Sequence, residues 1–141
     1  MQLTLHTDIG LRVLIYMGGQ SNDIKSTVAG LAELFNVSKN HMVKIVNELG
    51  KAGYLKTVRG KGGGIYLAKK PQNINIAAVV KNLEKITEVV DCKKNNCPFL
   101  GNCKLKLLLN QATEAFFEHL EQCSLVDVMA DQATLDRLQI K

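Results

Sequence analysis

The chain has 141 residues, 46% of them apolar, which is enough for one domain or two small lobes on a shared core and excludes wholesale disorder. Its net charge of +5 is uneven: residues 38–70 hold eight Lys/Arg against one acid, a local +7, and residues 110–141 hold six acids against two bases, a local −4. Only the first stretch therefore suits a polyanionic partner.

Thr7 can cap a first helix over residues 8–17, with Asp8 in its first turn and Gly18-Gly19 as its stop. The apolar run at residues 11–17 is too short to span a membrane and follows no basic leader, so the chain reads as soluble and cytoplasmic. Residues 20–25 form a polar loop. Ser26 or Thr27 then caps a second helix with Val28, Leu31, Leu34 and Phe35 on one face, and Asn36 takes the left-handed turn after it. Ser38 caps a third helix, which Gly53 ends. Met42, Ile45, Val46 and Leu49 recur at i, i+3, i+4 and i+7 as its buried face. Lys39, Asn40, Lys44, Asn47 and Lys51 lie on the other face. Two short helices joined by a tight turn, the second polar and basic, make a helix-turn-helix. The second helix of that motif enters the major groove of DNA by its N-terminal residues, here Ser38, Lys39, Asn40 and His41.

Residues 54–58 and 65–67 predict two short strands around Arg59-Gly60-Lys61-Gly62-Gly63-Gly64. A basic, glycine-rich hairpin tip at this distance is a wing. Gly62 and Gly63 let backbone N–H groups approach phosphates. Lys39, Lys44, Arg59 and Lys61 are read as phosphate contacts, which set affinity and its salt dependence. Asn40 and His41 are candidates for base edges, since Asn can bridge adenine. A partly buried surface role fits His41 equally well. Pro71 ends this unit, and Asn75 caps a fourth helix to about residue 84, burying Ile76, Val79, Val80 and Leu83.

Residues 92–103 hold three of the four cysteines, Cys92, Cys97 and Cys103, spaced C-x4-C-x5-C among polar, Gly and Pro residues. Such a segment is a loop, and it can gather three thiols around one centre. Zinc usually shows tight C-x2-C knuckles, and a dithiol redox enzyme wants C-x-x-C. Neither spacing is present, so an iron–sulfur cluster with a remote fourth ligand fits best, zinc standing as the alternative. Lys93, Lys94 and Lys104 favour thiolates. Cys123 lies twenty residues beyond Cys103 on what reads as one helix, about 30 Å away along its axis, and His119 fails similarly. His6 or Asp8 could reach the loop only through folding or from a second subunit. By itself Asp8 reads more simply as a helix N-terminal charge, worth about 0.3–1 kcal/mol.

From Lys104 the chain is helical for about twenty residues. Leu105, Leu108, Leu109, Ala112, Phe116, Leu120 and Cys123 make one stripe, and Leu107 and Phe117 lie off it. The surplus apolar surface predicts a partner subunit. A short segment at residues 125–129 and a polar tail close the chain. The expected architecture is mainly α with a small β-hairpin: a winged helix-turn-helix lobe over 1–72, a linking helix and cluster loop over 73–103, and a dimerisation helix and tail over 104–141. No Ser/His/Asp grouping, P-loop or paired carboxylate set points to an enzyme. An iron–sulfur electron carrier is the reading of another class, but it needs no winged helix.

Residues 7–17 (TDIGLRVLIYM), 37–46 (VSKNHMVKIV), 52–54 (AGY), 58–65 (VRGKGGGI) and the three cysteines together resemble a family of bacterial winged-helix regulators, several of which carry iron–sulfur clusters. The likeness runs from residue 1 to about 125 and is greatest to the family's nitric-oxide-sensing repressors. It implies a homodimer on double-stranded operator DNA, a crossed dimerisation helix and nitric oxide as signal. It also implies an iron–sulfur cluster held by Cys92, Cys97 and Cys103, with Asp8 of the other subunit as fourth ligand. Three cysteines and an oxygen allow 4Fe–4S, which is preferred, or 2Fe–2S. Sibling regulators of cluster biogenesis use a histidine three residues after the third cysteine and a different spacing. Lys106 stands at that position here, so both departures favour the nitric oxide sensors.

Overall fold

Helix α1 (Leu5–Gly19) is the element on which most others converge. The structure is a computed structural model describing residues 2–20, 25–85, 89–94 and 96–139. Residues 21–24 of the expected polar loop and Asn95 of the cysteine segment lie outside the described residues. Helix α1 begins earlier than Thr7 suggests, because Thr4 is the cap: its hydroxyl accepts the Thr7 N–H at 3.3 Å. Thr7 is inside the helix and fully buried. Thr4 also donates its N–H to Glu84 at 2.6 Å and its hydroxyl to the same oxygen at 2.9 Å. Burial opposes ionisation of Glu84, but the hydrogen bonds from Thr7 and Thr4 hold it below the usual glutamate range.

Helix α2 (Val28–Leu34) is capped by Thr27 and α3 (Lys39–Lys51) by Ser38. Asn36, at φ 52°, turns the chain between them. All four periodic residues of α3, Met42, Ile45, Val46 and Leu49, are buried. In α2 the buried pair is Leu31 and Ala32; Val28 and Phe35 pack at the rim of the core. Gly53 leaves α3 at φ +76° and the chain enters strand β1 (Leu55–Val58). Strand β2 (Gly64–Leu67) pairs with it antiparallel, Leu55 opposite Leu67 and Val58 opposite Gly64. Ser26 adds a bridge to this hairpin, accepting the Ile65 N–H at 2.9 Å. Pro71 opens a 3-10 turn, Pro71–Asn73, and Asn75 caps α4 (Ile76–Glu84), which lies along α1.

Helix α5 (Lys104–Glu121) departs from its expected stripe. Phe117, off that stripe, is its buried residue, while Leu105 and Leu108 on the stripe are about 60% exposed. The reason is the reach of α4, which covers only the C-terminal half of α5. There Lys81 lies 4.9 Å over the Phe117 ring and pairs with Glu121 at 2.7 Å. Beyond α5 the chain returns to the core. Ile76 N–H donates to Cys123 O and Leu125 N–H to Ile74 O, and Leu125 is fully buried at the head of a 3-10 turn, Leu125–Val128.

The expected polar tail is instead a helix, α6 (Gln132–Gln139), anchored by Leu135. It explains the glycine pair. Helix α1 runs through Gly19 rather than stopping at Gly18, and a Cβ on Gly18 would lie 2.9 Å from Met129 Sδ. On Gly19 it would lie 2.7 Å from Leu135. The helix ends on this pair, as expected, with extended Gln20 after it, and the same glycines are the bed for the returning chain. Among the described residues no helix is long and apolar enough to cross a membrane.

Candidate nucleic-acid interface and cysteine loop

Because the buried face of α3 points into the core, its opposite face is forced outward. Ser38, Lys39, Asn40 and Lys44 are all exposed. His41 is half-buried, and its N–H donates to Ser38 Oγ at 3.1 Å, fixing the first turn. The hairpin holds Arg59 and Lys61 at an exposed tip. There Gly60 and Gly62 have φ +93° and +90°, and Gly63 N–H closes on Gly60 O at 2.9 Å. A Cβ on Gly63 would land on the Val58 carbonyl oxygen and within 3.0 Å of two further backbone atoms. Gly63 is thus required by the shape of the tip itself. Lys25 joins this group, its Nζ 3.8 Å from where a Cβ on Gly62 would stand. Sequence reading missed Lys25, since only the Ser26 bridge carries it to the wing.

The second group of candidate residues follows α4. Cys97 N–H donates to Cys92 O at 3.1 Å, folding the loop back on itself. Cys103 is the N-cap of α5, its sulfur accepting the Lys106 N–H at 3.4 Å. Cys92 and Cys103 line one shallow hollow with Lys93, Leu100, Lys106 and Leu107. Burial pushes the Cys92 thiol up, as do Cys97 and Cys103, while Lys106 acts in the opposite direction. Cys92 thus lies near both other cysteines of the loop, beside the N-terminus of α5 and the Lys106 cation. Soft sulfur donors gathered on one loop have the chemistry that an iron–sulfur cluster takes, and a cluster's own charge would have to draw off the Cys92 proton. Among the described residues no three His, Cys, Asp or Glu side chains stand at metal-holding distance within one protomer.

Asp8 is not brought to these sulfurs within the chain. It lines a separate hollow with residues 2–5, and its Oδ1 accepts from Arg12 Nε at 2.9 Å on the exposed side of α1. Cys123 and His119 lie at the far end of α5 from Cys103, which is 18 residues long, roughly 27 Å. His6 is committed elsewhere, 2.7 Å from Glu48 Oε2.

Residues 3–131 match the Rrf2 family, described as iron-dependent transcriptional regulators. The HTH-type transcriptional regulator NsrR of Halalkalibacterium halodurans is 43% identical over 141 residues, spanning 98% of this chain and 97% of that protein. NsrR of Geobacillus kaustophilus is 41% identical, spanning 98% and 96%. The structure of CymR, the global cysteine regulator of B. subtilis, superposes with a TM-score of 0.72 at 22% identity, covering 90% of this chain and 95% of that one. That likeness carries the fold, a winged helix followed by a long helix. On both the family match and the near full-length identity to two regulators, this chain belongs to the Rrf2 family of transcriptional regulators.

Proposed function

We propose that this winged-helix regulator is a cytoplasmic, homodimeric repressor that releases operator DNA in response to nitric oxide. Cys92, Cys97 and Cys103 of one protomer and Asp8 of the other would hold an iron–sulfur cluster, preferably 4Fe–4S. The hollow shared by Cys92, Cys103 and Lys106 supports this most directly. Likeness to the two NsrR regulators supports the choice of signal. When bound, the cluster supplies iron that reacts with nitric oxide. Asp8 is the one hard oxygen donor among soft sulfurs, so its hold is the weakest matched. Helix α1 packs on both α3 and α4, so the way Asp8 is held bears on where α3 sits. Two α3 helices must stand about one DNA turn apart, or a multiple, to read both half-sites. Ser38, Lys39, Lys44, Arg59, Lys61 and the N–H groups near Gly62 and Gly63 would contact phosphate or sugar; Asn40 and His41 face base edges.

The test is anaerobic purification followed by iron, sulfide and zinc assays and operator titration against salt. Brown protein with iron and sulfide is expected, with a steep salt dependence. Four exposed cations per protomer, all engaged, give a slope of roughly −7 for the dimer. Colourless protein holding one zinc overturns the cluster, and a slope near zero overturns the phosphate contacts.

Gly63→Ala isolates the wing. The added methyl meets backbone that cannot yield, so the tip must open and shift Arg59 and Lys61. Operator affinity should fall about tenfold and the salt slope should shrink by roughly 2–4. Thermal stability should barely change, since the tip is exposed. Calorimetry beside anisotropy titration checks both.

A further inference from the structure

A group of contacts joins the start of α1 to α3. Glu48, late in α3, is held below the usual glutamate range, first by the hydrogen bond from Lys85, whose Nζ lies 2.7 Å from Oε1. Burial opposes that, and the contact with His6 reinforces it. An ionised carboxylate can only accept. The His6 Nε2 atom, 2.7 Å from Glu48 Oε2, therefore carries the proton and donates. This bond orients the imidazole. The His6 ring also stacks on the ring of His41, with centroids 5.5 Å apart and planes within 23°. Both histidines are half-buried. His41 and Glu48 are seven residues apart, two turns along one face of α3. His6 thus grips both ends of the helix segment that would lie in the groove.

We propose that His6 is a positioning residue for DNA reading: oriented by Glu48, its ring braces His41 and so sets how the first turn of α3 presents Asn40 and His41 to base edges. The inference rests on the reading of α3 as the groove-entering helix. It differs from a general packing role in a checkable way. Bracing His41 should govern base preference rather than phosphate affinity.

The experiment uses full-length, anaerobically purified protein and a library of randomised DNA duplexes. The selected duplex and scrambled versions of it are then titrated. His6→Ala should lower the ratio of selected to scrambled affinity about tenfold, the discrimination one good base contact supplies, and leave the salt slope unchanged. In a His41→Ala background His6→Ala should change nothing further. His6→Phe keeps an aromatic face on His41 without the orienting bond to Glu48 and should retain part of the preference. His6→Gln keeps a donor for Glu48 and should lose it, a contrast that decides the matter if His6→Ala does not fold. An unchanged ratio in His6→Ala, an equal loss in the His41→Ala background, or His6→Gln outperforming His6→Phe each overturns the inference alone. If the unsubstituted protein selects no duplex, the reading of α3 falls, and this inference with it.

Discussion

Serine at Cys92, Cys97 and Cys103 will leave a folded protein that holds no iron and binds its operator about a hundredfold more weakly than the anaerobic wild type. That factor corresponds to only about 2.7 kcal/mol of differential stability between the competent and incompetent arrangements. Folding should survive for local reasons. Cys97 and Cys103 are only partly buried, and serine at position 103 is a better helix N-cap than cysteine, so α5 still starts where it does. Circular dichroism should therefore match wild type, while iron and sulfide assays read zero. Asp8→Ala should differ. It keeps all three thiolates, so a cluster with an altered spectrum is expected, together with a lost release of DNA by nitric oxide. An unchanged spectrum and response would remove Asp8 from the ligand set, and wild-type operator affinity in the serine variant would remove the cluster from control of DNA.

In the proposed homodimer, glutamate at both Leu105 and Leu108 will yield a monomer that binds operator at least a hundredfold more weakly. These residues are about 60% exposed on the half of α5 that α4 does not cover, and neither lines the cysteine hollow. Burying one such side chain contributes about 1.5–3 kcal/mol, and two-fold symmetry counts each residue twice. A charge there loses that and adds repulsion across the axis. The protomer itself should stay folded, because Phe117 and the Lys81–Glu121 pair fasten the other end of α5 to α4. The loss of affinity follows because a monomer cannot hold two half-sites at once. Sedimentation velocity checks the mass and anisotropy the affinity; a variant that remains dimeric would place the interface elsewhere.

The helix-turn-helix was legible because its signals are local. Ser38, the Met42–Ile45–Val46–Leu49 period and Gly53 each act within a turn or two of themselves. The wing was legible for the same reason, and the positive φ values at Gly60 and Gly62 are what its composition demands. Misreadings fell where two distant segments meet. Thr7 resembles a cap as well as Thr4 does, but Thr4 takes the capping bond and Glu84, from the end of α4, accepts from both threonines. Gly18-Gly19 does end α1, but that Met129 and Leu135 lie against the pair was not legible.

What the chain's order of residues determined by itself was the local grammar: which stretches coil, where caps and turns fall, and that three thiols share one short loop. Periodicity and capping are short-range, so they survive without knowledge of the partner surface. What only the tertiary arrangement decided was which face of α5 stays open, that the C-terminal residues fold back over α1, and that Lys25 joins the wing. It also decided that His6 turns away from the cysteines to lie against His41 and Glu48. Burial belongs to pairs of surfaces rather than to single residues. An apolar helix face is therefore core or interface according to how far its neighbour reaches.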